Sequence, residues 1–141
     1  MYFGEYRHSL DAKCRLRLPA KLKSTPAVYV VTKGNDGCLF VFDKDYFDNE
    51  FIKKLEHIPT FDALGQQPLR AFMSSCYEVE EDAQGRILLP QQLKTFAQID
   101  KDVVIIGVGN RREIWAEKVW DNYNDPNNFD AMLSKLAQYD V

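Results

Sequence analysis

A chain of 141 residues suffices for one ordinary domain or two very small ones, and its 45% hydrophobic and 28% charged residues mark a globular rather than a disordered protein. Its longest apolar stretches, such as residues 103–108, fall far short of the roughly 20 residues a membrane span needs, and residues 1–7 lack the basic-then-apolar order of a secretory leader; together these predict a cytosolic protein without a membrane partner. The net charge of −3 argues against a uniformly basic chain, yet in residues 1–23 Arg7, Lys13, Arg15, Arg17, Lys21 and Lys23 face only Glu5 and Asp11, so a basic head precedes an acidic body.

In chain order, residues 4–9 read as a strand running into the loop Asp11-Ala12-Lys13-Cys14-Arg15, and residues 15–18 as a second strand. Pro19 opens a short helix, at a first-turn position where a missing N–H is harmless. Strands at 28–32 and 39–42 follow, joined by the turn residues Gly34-Asn35-Asp36-Gly37. Residues 44–55 place Tyr46, Phe47, Phe51, Ile52 and Leu55 at helical spacing, and a linker helix is expected over 61–74. The series then starts again. Strands are expected at 76–81, 86–89, 103–108 and 113–115, with a helix opened by Pro90 and a turn at Gly109-Asn110. A tail helix near 128–139 closes the chain.

This second series is a copy of the first. Residues 11–23 and 82–94 match at 7 of 13 positions with an offset of 71, and the later strands and helix correspond at offsets of 75 and 73. One unit of some 45 residues buries too little apolar surface to be comfortable alone, so the two halves are expected to pair with their sheets completing one another. The chain divides accordingly into a first repeat (1–48), linker helices (49–74), a second repeat (75–121) and a helical tail (122–141).

An aspartate and an arginine separated by three residues in a tight connection can fold back on each other as a charge-assisted pair, which fixes the loop and turns its other donors outward. In the first copy those donors are Lys13, with Arg7 and Arg17 on adjoining strands, and such groups suit phosphate oxygens and guanine edges. Asp11–Arg15 and Asp82–Arg86 taken singly would be turn clips; their recurrence inside a longer matching string favours a binding role. The second copy is poorer in charge, since Glu78, Glu80, Glu81 and Asp82 face only Arg86 and Lys94 between residues 75 and 94, so the first loop is expected to dominate.

Little supports catalysis. Cys14, Cys38 and Cys76 are odd in number and widely spaced, His8 and His57 stand apart from them, and neither a zinc site nor a disulfide framework emerges. No nucleophile–base pairing is apparent, Gly107-Val108-Gly109 lacks the rest of a dinucleotide loop, and the arginine following each aspartate would prevent a shared proton. No cofactor or small-molecule substrate is therefore expected. The aromatics Tyr2, Phe3, Phe61, Phe72, Trp115, Trp120, Tyr123 and Phe129 are expected in the core, though their abundance also permits subunit contacts, and an oligomeric interaction scaffold without nucleic acid is the alternative function.

The two segments Asp11-Ala12-Lys13-Cys14-Arg15-Leu16 and Asp82-Ala83-Gln84-Gly85-Arg86-Ile87, each followed by proline, together with Glu113-Ile114-Trp115 and the opening that ends at Gly4, resemble the MraZ family. The resemblance implies an α+β, mainly β fold in which two tandem SpoVT/AbrB-like ββαββ units pair as a pseudo-two-fold β-barrel with flanking helices. It further implies a nucleoid-associated regulator of the division and cell-wall gene cluster, a ring of identical subunits binding repeated sites on double-stranded DNA. The DNA-contacting loops would map to Asp11, Lys13 and Arg15, and to Asp82 and Arg86. Two residues depart from the family signature: Cys14 stands where it has glycine, and Gln84 where it has lysine. Cysteine tolerates a positive φ poorly, so either the first loop is reshaped or the position does not need a left-handed backbone.

Overall fold

Alternation of apolar side chains builds six of the eight strands into one antiparallel sheet; the computed structural model describes residues 1–141, the whole chain. The strands are β1 (Glu5–Ser9), β2 (Arg15–Leu16), β3 (Val28–Lys33), β4 (Leu39–Asp43), β5 (Tyr77–Glu80), β6 (Ile87–Leu88), β7 (Asp102–Gly107) and β8 (Arg112–Ala116). The large sheet runs β1-β7-β8-β4-β3-β5, and β2 with β6 forms a separate two-stranded ribbon. The copies are interleaved. β1 of the first copy pairs with β7 of the second, β5 of the second with β3 of the first, and β4–β8 sits in the middle. The register repeats this symmetry: Tyr6 faces Ile105 as Tyr77 faces Val31.

The sheets do complete one another, but the expected barrel does not close. Edge strands β1 and β5 have no partner in common, and the only further ladder is the ribbon, two residue pairs long. It is too short to bridge the edges and lies instead over one face. The fold is α+β, with strands making most of the core and the short helical turns after the ribbon strands adding Leu22 and Leu93 to it.

Strand side chains alternate between faces, and the burial follows that period of two. One face carries Tyr29, Val31, Leu39, Val41, Val103, Ile105, Ile114 and Ala116 into the main core. Leu16, Leu18, Leu22, Ile87, Leu89 and Leu93, from the ribbon and the short helices after it, cover that face. These side chains are removed from water almost completely, each worth about 1.5–3 kcal/mol. The opposite face holds two separate clusters. Phe42 packs against Phe51 with centroids 4.6 Å apart and against Phe47 at 5.7 Å, and Trp115 meets Trp120 at 5.1 Å.

The helices differ in detail from expectation. Pro19 and Pro90 stand just before their helical turns, Ala20–Leu22 and α3 (Gln91–Phe96), rather than inside them. The segment after β4 begins as α1 (Lys44–Tyr46), widens to a π-type turn at Phe47–Phe51 and tightens at Ile52–Lys54. The widening brings both Phe47 and Phe51 onto Phe42. Linker helix α2 (Ala63–Met73) starts at Asp62, whose carboxylate accepts from the Leu64 and Gly65 amides at 3.1 and 3.3 Å. Helix α4 (Glu117–Tyr123) follows β8, and the tail forms α5 (Phe129–Leu136), ending in a turn at Ala137–Tyr139.

Not all the aromatics are core. Trp115 is buried, whereas Phe61 is fully exposed and Phe3, Tyr123 and Phe129 are largely so, because the linker, tail and N-terminal segments that carry them have no layer packed over them. The three cysteines are free thiols, and no helix is long and apolar enough to cross a membrane.

Candidate nucleic-acid interface

At the centre of the ribbon Leu16 faces Ile87, the same position in each copy, and both side chains are wholly buried. With these two pointing inward, the two-residue period turns Arg15 and Arg17, and Arg86 and Leu88, the other way. The ribbon thereby carries the two Asp-x-x-x-Arg loops side by side.

The loops are built alike. The Asp11 amide donates to the Arg15 carbonyl at 3.0 Å and the Cys14 amide to the Asp11 carbonyl at 3.0 Å; the Asp82–Arg86 and Gly85–Asp82 bonds repeat this at 2.8 and 3.0 Å. Each aspartate also accepts from two amides of its own loop. Asp11 Oδ1 takes the Lys13 and Arg15 amides, both at 2.9 Å, and Asp82 Oδ1 takes those of Gln84 and Arg86 at 2.9 and 3.0 Å. The backbone amide of Arg15 is the main reason the Asp11 carboxyl lies below the usual carboxylate range, and the Arg86 amide does the same for Asp82; partial burial opposes both.

Cys14 has φ +62° and Gly85 φ +75°, so the first loop keeps the left-handed backbone despite its cysteine. Neither expectation for this position holds: the loop is not reshaped, and the left-handed conformation is needed. Its matched hydrogen bonds over-determine a backbone that costs a non-glycine residue about 1–2 kcal/mol.

The second oxygens of the aspartates join the copies. Asp11 Oδ2 accepts from Arg15 Nε at 3.0 Å and from Arg86 Nη1 of the other loop at 2.9 Å. Asp82 Oδ2 lies 3.5 Å from Arg86 Nε and 3.8 Å from Arg15 Nη1. Each arginine thus spans both aspartates. All four side chains are about a quarter to a third exposed, so the cluster is neither sealed nor fully solvated.

Among the other residues singled out from the sequence, Lys13 and Arg17 are exposed beside the loops and enter no ion pair. Arg7 is not with them. It sits on β1 among acids, 2.8 Å from Asp121, 3.4 Å from Glu5 and 3.6 Å from Glu117. Two lysines were missed. Lys23 Nζ donates to the Gly85 carbonyl at 3.2 Å and pairs with Glu81 at 2.9 Å, while Lys94 Nζ lies 3.0 Å from Cys14 Sγ. Each reaches from its own copy to the loop of the other. Their signal was present, since both end the matched string at the same offset as the aspartates and arginines.

Such a molecule is a duplicated, cross-paired protein that presents twin anchored loops within a rim of cations. The chain belongs to the MraZ family. The profile of that family, described as "MraZ protein, putative antitoxin-like", matches twice, over residues 1–67 and 72–138. A protein of Heliobacterium modesticaldum is 42% identical over the full length of both chains. One of Clostridium beijerinckii is 43% identical over 96% of each, and one of Ligilactobacillus salivarius 40% identical over the full length of both. All three bear the name "Transcriptional regulator MraZ", and none is named as an enzyme.

Proposed function

We propose that this chain is a transcriptional regulator that binds double-stranded DNA through its paired Asp-x-x-x-Arg loops. The observation that carries the reading is the cross-bridged loop pair. Two identical backbones are locked together by Asp11, Arg15, Asp82 and Arg86, with Lys13 and Arg17 unpaired beside them. Within the cluster the two aspartates neutralise the two arginines, so attraction for phosphate comes from the surrounding cations, and the arginine side chains, about a quarter exposed, remain within reach of bases. Such an arrangement positions rather than reacts, which accords with the names of the relatives.

In this reading several copies assemble into a ring that engages repeated sites before the division and cell-wall gene cluster, in the cytoplasm and on the nucleoid. The family resemblance supports this part. Modest affinity per loop pair would be multiplied by linkage between subunits.

Gel-shift on duplex DNA from upstream of the encoding gene, with size-exclusion of the same samples, tests the reading. Arg15→Ala should abolish the specific shift while the elution volume stays unchanged. Undiminished binding by this variant would discard the loop assignment. Preference for RNA of the same sequence would discard duplex DNA as the partner.

A further inference from the structure

From its own residues the second loop is poor in charge, because Gln84 takes the place that Lys13 has in the first. Its surroundings differ from its sequence. A Cβ placed on Gly85 would lie 2.9 Å from Arg17 Nη1 and 3.0 Å from Lys23 Nζ, so two cations of the first copy converge on the crest of the second loop. Lys23 is shared with Glu81 at 2.9 Å and is held down by the Gly85 carbonyl. The Arg17 guanidinium is exposed and enters no ion pair, which leaves its donors free.

The reciprocal positions are unequal. Lys94 of the second copy reaches the first loop at Cys14, as Lys23 reaches the second at Gly85. The residue that corresponds to Arg17 at the offset of 71 is Leu88, whose apolar side chain is 56% exposed. Each loop therefore has two cations: Lys13 and Lys94 at the first, Arg17 and Lys23 at the second.

We propose that Arg17, with Lys23 behind it, forms the phosphate seat of the second loop, so that the first copy supplies the charge its partner lacks. This rests on the DNA-binding reading and deepens it. Both loops can then hold a DNA backbone, and the dominance of the first loop expected from charge along the sequence disappears in three dimensions. The glycine at the crest suits a φ of +75°, a left-handed backbone that side chains rarely adopt.

The test is fluorescence anisotropy of a labelled mixed-sequence DNA duplex, read as affinity against salt. Each phosphate neutralised contributes about 0.9 to the slope of log affinity on log salt. Arg17→Gln should reduce the slope by about that amount for each loop pair engaged. Gln84→Lys in the Arg17→Gln background should restore it, whereas Asn49→Lys, on the helical segment after β4, should not. Leu88→Arg in the otherwise unaltered chain should steepen it. An unchanged slope in Arg17→Gln beside a steep slope in the unaltered protein would overturn the seat while leaving DNA binding intact. Equal rescue by Asn49→Lys would also overturn it, since net charge alone would then be at work. A shallow slope in the unaltered protein would instead overturn the DNA-binding reading beneath it. Arg17 and Leu88 are exposed, and thermal melts of each variant separate lost binding from lost folding.

Discussion

Cys14 occupies a backbone made for glycine. Its φ of +62° matches the +75° of Gly85 at the corresponding position, and the hydrogen bonds around both agree to within a few tenths of an ångström. Cys14→Gly should therefore stabilise the protein, by about 1 kcal/mol after allowing for the greater freedom of glycine in the unfolded chain. Urea unfolding of the two proteins checks this. The aspartates beside it make a pH prediction. Both carboxyls are held below the ordinary value of 3.8, first by amide hydrogen bonds and then by arginines, so their contribution is complete above that value and disappears as pH falls through the lowered one. The difference in melting temperature between the natural protein and Asp82→Asn should be constant above about pH 5 and shrink below about pH 4.

The ribbon of β2 and β6 is the element on which the site depends. It has only two residue pairs, and its hold on the sheet comes from the buried Leu16 and Ile87. Truncation of either to alanine should cost about 2–5 kcal/mol, read as a fall in the midpoint of denaturation. The strands were legible in the sequence to within a residue or two in most cases, because alternation and turn residues are local signals; β2 and β6 came out shorter than expected. The pairing of each aspartate with its own arginine was legible for the same reason. The bonds from Arg86 to Asp11 and from Lys23 to Gly85 were not. They join residues more than 60 positions apart, and spacing within one loop says nothing of what stands opposite. Arg7 illustrates the converse: it lies near the loops in sequence, yet β1 carries it to β7 and into the acids of α4.

Across the whole molecule the two copies are related by an approximate symmetry that one residue breaks deeply. Arg112 on β8 is completely buried where the first copy has Leu39. It donates to the Leu22 carbonyl and to Asp43 Oδ1, both at 2.6 Å, and its guanidinium lies 3.7 Å from the Tyr2 ring centroid. Tyr2 in turn donates to Asp43 at 2.7 Å, and its hydroxyl is pushed up to about 12, mainly by burial. Arg112→Ala would leave Asp43 without its cationic partner, with only the Tyr2 hydroxyl donating to it, and should cost about 3–5 kcal/mol. Circular dichroism melts would register it, and a loss below about 1 kcal/mol would show the pair to be idle. Duplication was visible in the sequence, but barrel closure was not decided there, because it depends on whether two distant edges meet.

Interleaving also constrains how the protein is made. Strand β1 finds its hydrogen-bonding partner in β7, with Glu5 opposite Ile106. At about 5–20 residues per second, a nascent chain leaves the ribosome with its first strand unsatisfied for roughly 5–20 s before β7 is even synthesised. The early segment must wait with an open edge, and neither half released alone would contain a complete sheet. Birth of the regulator is thus an all-or-nothing event, decided only when the last strands emerge.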